Sequence, residues 1–521
     1  MIVKNGSKRN KPTWQPRRLP KGLISHLIQI VFVFFLTIGV AGYFSYLGVD
    51  PHHDGIMLKP ASDIARGQML FRDTFTQYGA LTTILQAWAV AVFGHSLVVI
   101  NLLTVFFYGL VAVMLWLVWA LFLPPYLATV ACIIWLFQAP YHDPGYAFLP
   151  WPSVYALFFQ LVTLYALLKM LQTKKGRWQL LAGISSALTF WSRQPVGFLL
   201  MGSIVFFFFT LKLKKYKFPS LLPFFVSLII THLIFFVWIL SNNAFADWFY
   251  QTIRFPAIWA TSASPEKVIL LMNFFYNMFP NSYSPLSIWT LLPLVILYLG
   301  YTHLMTKKIN RTGAMILLAV CVNLASWLQY HPVNDPRHLY WAAAPMIGFA
   351  LYAALSLNTD KKKNFTFLVI CLLLFVPDMF YHARLARRKI RKFWSYPTIV
   401  KPNVLKGMRV PPEEKRFFDD AMNKLETFKK VYPSSFVTTT GRDAMYSLFD
   451  GGNTNCYKFT VEWGWIAFDT QLEKDYLEAM KSCIATHKPA VFTQKLYYHP
   501  KGYKRVTKGE SQTGNYLLLP Q

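Results

Sequence analysis

Apolar runs alternate with short polar connectors along most of the chain. Runs at about 23–44, 97–123, 126–139, 153–172, 179–193, 195–211, 219–241, 286–305, 313–329, 338–357 and 365–381 predict about eleven transmembrane helices. Several are shorter than the roughly 20 residues of a straight span, so their ends are loosely set by the pattern. Residues 1–22 form a polar, basic leader, and residues 45–96 form the first long connector. Beyond residue 382 the pattern changes to mixed charge with turn residues. There, residues 435–440, 490–495 and 515–520 predict strands and residues 471–486 a helix, which together make a small α/β domain. The expected architecture is an α-helical polytopic membrane domain over residues 23–381 with a soluble C-terminal domain over 382–521.

Composition agrees with that division. The 521 residues are 55% hydrophobic, 17% aromatic and only 14% charged, with mean hydropathy +0.34, more apolar surface than a soluble globule of this length can bury. The formal charge of +29 falls in short clusters between apolar runs, which points to membrane topology and away from a nucleic-acid partner. Lys8, Arg9, Arg17 and Arg18 precede the first run, and Lys174, Lys175, Arg177, Lys212, Lys214, Lys215, Lys308, Lys361 and Lys362 occupy alternate later connectors. The positive-inside rule then predicts a cytoplasmic N-terminus, an uncleaved first helix, and external placement of residues 45–96, 140–152, 242–285, 330–337 and the C-terminal domain. Arg384, Arg387, Arg388, Lys389, Arg391 and Lys392 break the rule. A long C-terminal domain translocates largely regardless of charge, and this cluster suits anionic lipid phosphates.

The first external connector holds the leading candidate for chemistry. Asp54 lies in Asp50-Pro51-His52-His53-Asp54-Gly55, just past the first helix, and an acid at the water boundary of a helical bundle marks a functional site by default. Its two readings are a catalytic base and a cap for the following helix. The connector continues through Ala65-Arg66-Gly67, Phe71-Arg72-Asp73 and Gln77-Tyr78-Gly79, with apolar positions suited to helices lying along the interface.

These motifs resemble the first external loop of the GT-C membrane glycosyltransferases, the group that includes protein mannosyltransferases and bacterial enzymes using polyprenyl-phosphate sugars. The match is good over residues 45–95, moderate in helix and loop rhythm to about 380, and weak in the terminal domain. Gly55 stands where many members carry a second acid, which leaves one carboxylate. The resemblance implies inverting transfer of a sugar from a polyprenyl-phosphate donor to a hydroxyl of a glycan, lipid or protein acceptor, in a bacterial inner membrane. It also implies an acid in the next external loop, for which Asp143 in Tyr141-His142-Asp143-Pro144-Gly145 is the candidate, although Asp-Pro-Gly is equally a turn.

A leaving phosphate needs prearranged positive charge. Arg193, Arg337, His338, Lys59 and Arg72 are the candidates, and Arg337 and His338 open a helix, itself an anion-favouring end. Headgroup snorkelling by Arg193 and a local Asp335 to Arg337 pair are the bland alternatives. His53, Tyr78 and Arg254 are candidate substrate contacts. The aromatics of residues 245–276 read either as an interfacial belt or as a lid over a prenyl chain. A divalent metal on Asp54 and Asp143 is possible chemistry, though the spacing shows no complete ligand set and no cofactor motif. Cys456 and Cys483 are a candidate disulfide if the terminal domain is external. Two other classes stay open: an O-antigen-type polymerase or ligase, which would place its chemistry in a large late loop, and a transporter or flippase of lipid-linked glycans, which would carry ionisable residues within its helices.

Overall fold

The structure is a computed structural model. It describes residues 23–521 apart from 140, 142–147, 263–271, 273–275, 277–278, 280–287, 307, 331–335, 357–360, 442, 453, 455, 459–469 and 496. Helices dominate: α1 Leu23–Ser45, α2 His53–Ala65, α3 Ala80–Phe93, α4 Leu97–Trp119, α5 Pro125–Phe137, α6 Pro152–Thr173, α7 Gly176–Ser192, α8 Gln194–Leu213 and α9 Leu222–Ser241. There follow α10 Phe245–Phe249, a π turn Tyr250–Arg254, α11 Phe255–Ser262, α12 Ile288–Leu304, α13 Arg311–Leu328, α14 Pro336–Ala343, α15 Met346–Ser356 and α16 Lys361–Ser395.

Among the described residues seven of these helices are long and apolar enough to cross a membrane: α1, α4, α6, α8, α9, α13 and α16. The pair α14 and α15, bent by 52°, makes an eighth if it is one broken span. All eleven apolar runs fall on helices, but α5, α7 and α12 have only 13, 17 and 17 residues. At 1.5 Å per residue a helix of 13 to 17 residues falls short of a hydrocarbon core of about 30 Å. By length and composition alone seven or eight spans are marked among the described residues, and the expected count of about eleven is not confirmed. Aromatic and small residues tie the bundle together: the Gly348 Cα lies so close to Trp119 that a Cβ there would meet its ring at 2.4 Å.

α16 runs unbroken past residue 382 to Ser395, so the basic cluster extends the last span as a helix. After it come α17 Pro412–Val431 and α18 Thr470–His487, with strands β1 Val437–Thr439, β2 Ala490–Gln494, β3 Tyr503–Arg505 and β4 Asn515–Pro520. The sheet order is β1-β2-β4-β3; β1 and β2 are parallel, and α18 connects them, while β4 runs antiparallel to both its neighbours. Pro412 opens α17, Glu413 and Glu414 sit in its first turn and Lys429 and Lys430 in its last, matching the helix dipole at both ends. Its apolar stripe, Phe417, Phe418, Ala421 and Leu425, is buried in a core that includes Tyr446, Phe449 and Phe492, with Tyr446 stacked on Phe492 at 4.6 Å. The Cys456 and Cys483 sulfurs are bonded, joining the segment before α18 to that helix.

The C-terminal domain docks on the first connector. Gly48 N–H donates to Arg409 O at 2.7 Å, Arg409 N–H to Tyr46 O at 2.8 Å, and Met445 N–H to Pro51 O at 3.3 Å. Arg66 donates to the Gly451 and Gly452 carbonyls at 2.6 and 2.8 Å, and Lys458 pairs with Asp247 in the connector after α9. The first connector, the segment after α9 and the C-terminal domain therefore share one side of the membrane. Gly55 gains a physical reason here, because a Cβ on it would sit 2.4 Å from the Met445 backbone nitrogen. A second acid at that position would push the domain away.

Candidate active site

The turn before α2 gathers two carboxylates and an imidazole. Asp50 Oδ1 accepts the His52 and His53 backbone N–H groups at 3.0 and 3.1 Å, and its Oδ2 pairs with His53 Nδ1. Asp54 Oδ2 in turn accepts the Asp50 N–H at 2.8 Å. The acid that caps this helix start is thus Asp50, four residues ahead of the one expected, and Asp54 is released from capping. The expectation of a single carboxylate at this place is corrected accordingly: Pro51 and the capping turn fold Asp50 back beside Asp54. Burial pushes the Asp54 carboxyl well above the usual range, the Asp50 charge pushes it further, and the Asp50 N–H opposes both. His53, at 29% side-chain exposure, is the most open member, whereas Asp50 and Asp54 are each 4% exposed.

Three further elements converge on His53. Its ring lies 5.3 Å from that of Trp151, the residue before α6, and Trp151 lies 5.2 Å from Tyr78. Tyr78 accepts a hydrogen bond from Gln77 Nε2 at 3.0 Å, and the charges of both Arg193 and Arg337 reach its hydroxyl. Burial nonetheless dominates and pushes that hydroxyl up to about 12. Arg193 is extended (φ −152°, ψ 108°) between α7 and α8, ending one helix and opening the next, and donates to Ser153 in the first turn of α6. Two glycines permit this hinge. A Cβ on Gly79 would lie 2.0 Å from Trp191 O, and one on Gly197 would lie 2.2 Å from the Phe190 Cα, so the first connector and α8 both press directly on the α7 backbone. Thr82 Oγ1 adds a bond to Ser192 O at 3.3 Å.

Of the residues expected from sequence, the structure links Asp54 to His53 through Asp50 and His53 to Tyr78 across Trp151, with the Arg193 and Arg337 charges felt at Tyr78. His338 is buried beside them in sequence, its ring 5.6 Å from Trp341. Others lie elsewhere. Lys59 is buried within α2 and donates to both Asp63 oxygens at 2.6 Å, with Thr74 Oγ1 bonded to the same carboxylate at 2.7 Å. Arg72 is exposed, paired with Asp73 at 2.9 Å and reaching Asn242 O at 3.3 Å. Arg254 is exposed over the Tyr250 ring at 5.8 Å. Asp143 lies outside the described residues. Asp50, Trp151 and Ser153 carry no role in the sequence reading; only the carboxylate spacing at 50 and 54 offered a signal for any of them. Asp378 and His382, one turn apart on α16, are fully buried and were likewise unread.

With the geometry in place, the chain can be set beside known proteins. No protein-family model matches it, and no curated protein does. Among solved structures it is similar to the crystal structure of an Archaeoglobus fulgidus oligosaccharyltransferase in complex with zinc and sulfate. The superposition has a TM-score of 0.50 at 14% identity and covers 89% of this chain and 68% of that one. At that identity the likeness is one of fold. Among the described residues no three His, Cys, Asp or Glu side chains gather as a metal-ligand set, and the candidate ligand Asp143 lies outside those residues.

Proposed function

We propose that this chain is an inverting glycosyltransferase of the membrane, moving a sugar from a polyprenyl-phosphate donor to a hydroxyl of a glycan, lipid or protein acceptor on the external face. The observation that carries the reading is the meeting of the Asp50, His53 and Asp54 cluster with Arg193, Arg337 and Tyr78 across Trp151, on the side that bears the C-terminal domain. In a single displacement the acceptor oxygen attacks the sugar's anomeric carbon, the bond from that carbon to the phosphate oxygen breaks, and the acceptor proton must leave. The acid–base cluster takes the proton. His53 is the member a substrate can reach, Asp50 holds its ring, and Asp54 supplies a desolvated, more basic carboxylate behind them. The phosphate gains charge as it departs, and two guanidinium groups near one buried hydroxyl stabilise it at little reorganisation cost. Trp151 offers the sugar an aromatic face between the two centres.

The positive-inside pattern favours a site outside the cytoplasm, and the family resemblance favours the inner membrane of a bacterium. One observation favours a second reading. Asp378 and His382 are buried within a membrane-spanning helix, the feature a transporter of lipid-linked glycans would need. An assay separates the two: protein in nanodiscs is given a panel of polyprenyl-phosphate sugars with soluble acceptors, and the anomeric configuration of any product is read by NMR. A product of inverted configuration supports the transferase. Lipid movement across vesicles without any new glycosidic bond would replace it with the transporter.

A further inference from the structure

A second site lies where the first connector, the start of α4 and the C-terminal domain meet. It is a pocket of about 790 Å³, lined by Ser62 and Arg66 of the first connector, His95 before α4, Lys401, and Lys429 and Lys430 of α17. Pockets of this size commonly take a small-molecule or headgroup ligand. Its charge is uneven. Lys401 pairs with Glu426 at 2.5 Å and Lys429 with Asp450 at 2.9 Å, so two carboxylates face four permanent cations. Among the described residues, Arg66 spends both guanidinium contacts on backbone carbonyls. Two polar atoms on the wall have no partner among the described residues: Ser62 Oγ, on a residue with no exposed surface, and His95 Nδ1. A buried hydroxyl without a partner is unfavourable, and a bound acceptor oxygen would relieve it.

The pocket's height relative to the bilayer narrows the ligand. His95 lies two residues before Leu97, where the α4 span begins, and Ser96 between them is extended, so it sits at most about 7 Å from that end. The polar layer on each side of the hydrocarbon core is about 5–7 Å thick, which places His95 within it. Val404 and Leu405 pack beside the same end of α4, and Gly407 comes within Cβ reach, 3.6 Å, of Val98. The neighbouring α3 exposes Trp88, Val92 and Phe93, while Val400, Val431 and Tyr432 are exposed beside Lys401 and Lys430. Apolar and aromatic groups next to lysines at the end of a span are a membrane-interface pattern.

We propose that this pocket binds the phosphate-bearing headgroup of an anionic membrane phospholipid, with Ser62, His95 and Lys430 as its donors and Arg66 adding its charge. Burial, then the Arg66 charge, lowers the His95 pKa, so the imidazole is neutral and donates one N–H. Such a lipid ties the C-terminal domain to the bilayer plane beside the first connector. It requires nothing of the proposed transfer chemistry.

The test uses the full chain, extracted in detergent and titrated with phosphatidylglycerol or phosphatidylcholine of matched acyl chains, with retained lipid counted by native mass spectrometry. Phosphatidylglycerol should be retained about tenfold more strongly. Ser62→Ala combined with Lys430→Gln should remove that preference, Lys501→Gln, which deletes an exposed charge elsewhere, should keep it, and Asp54→Asn should keep it too. Equal retention of both lipids, or an undiminished preference in the double variant, overturns the proposal. Phosphorus NMR showing inorganic phosphate bound in the absence of any lipid preference would assign the pocket to a water-soluble phosphate and overturn the lipid source.

Discussion

Gly79 gives the account a sharp steric test. Its backbone is ordinary for any residue (φ −65°, ψ 146°), so a substitution there adds volume without conformational strain. The added Cβ of Gly79→Ala would lie 2.0 Å from Trp191 O, 2.4 Å from Trp191 C and 2.9 Å from Ser192 C, all backbone atoms one or two residues from Arg193. Ordinary contact starts at 3.4 Å, so the two chains must separate by about 1.4 Å. Overpacking of this kind costs about 1–3 kcal/mol in stability. The larger effect falls on function, because Tyr78 and Arg193 are carried by the two segments being separated, and a displacement near 1 Å at a positioned group costs about a hundredfold in rate. Turnover of a polyprenyl-phosphate sugar in nanodiscs is the assay, with thermal unfolding measured in parallel. Gly39→Ala, where nothing lies within 4 Å of the new methyl, is the matched control. A Gly79→Ala protein that turns over within threefold of wild type, with Gly39→Ala unchanged, refutes the placement of Tyr78 against Arg193.

Other outcomes follow from the same structure. Arg193→Gln should raise KM for the donor and lower kcat about tenfold or more, since one charge-assisted contact to the leaving phosphate is lost, and steady-state kinetics on purified protein reads both. Cys456→Ser should destabilise the terminal domain by about 3.5 kcal/mol on the chain-entropy argument for a loop of 27 residues, seen as faster proteolysis than wild type and no further effect of reductant. Burial pushes the Glu414 carboxyl up to about 7, the Gln512 N–H opposes this, and Asp443 and Glu413 add to the rise. The folded domain then binds more protons than the unfolded chain between about pH 4.5 and 7, so stability falls as pH rises through that window by about 3 kcal/mol; Glu414→Gln should flatten the dependence in pH-resolved proteolysis.

The helical architecture was legible because apolar runs and their basic flanks are local signals. Pro125–Phe137 shows the limit: thirteen residues are short for a straight span, yet this helix joins the far end of α4 to Trp151 beside His53, a connection visible only in space. The ends of α17 are marked by Pro412, paired glutamates and paired lysines, yet the sequence reading assigned no helix there. Lys59 and Arg72 looked like phosphate ligands by charge alone, yet Asp63 four residues on and Asp73 one residue on are local partners that spacing could have flagged. Asp54 stands out in sequence because it is an acid at a membrane boundary. Asp50 does not, because its role depends on a turn that folds it back on Asp54, and Trp151 and Ser153 do not, because they reach the site from a different helix. The glycine at position 55 reads as a missing acid in sequence and as a docking surface in space.

The most direct test of the central claim is the release of free polyprenyl phosphate from a polyprenyl-phosphate sugar by wild-type protein, compared with Asp50→Asn, His53→Gln and Asp54→Asn in matched nanodiscs. The account predicts that each carboxamide loses at least about a hundredfold in turnover while donor binding persists, because the acid–base cluster acts on the acceptor proton rather than on the phosphate. Undiminished turnover in both Asp50→Asn and Asp54→Asn would contradict it.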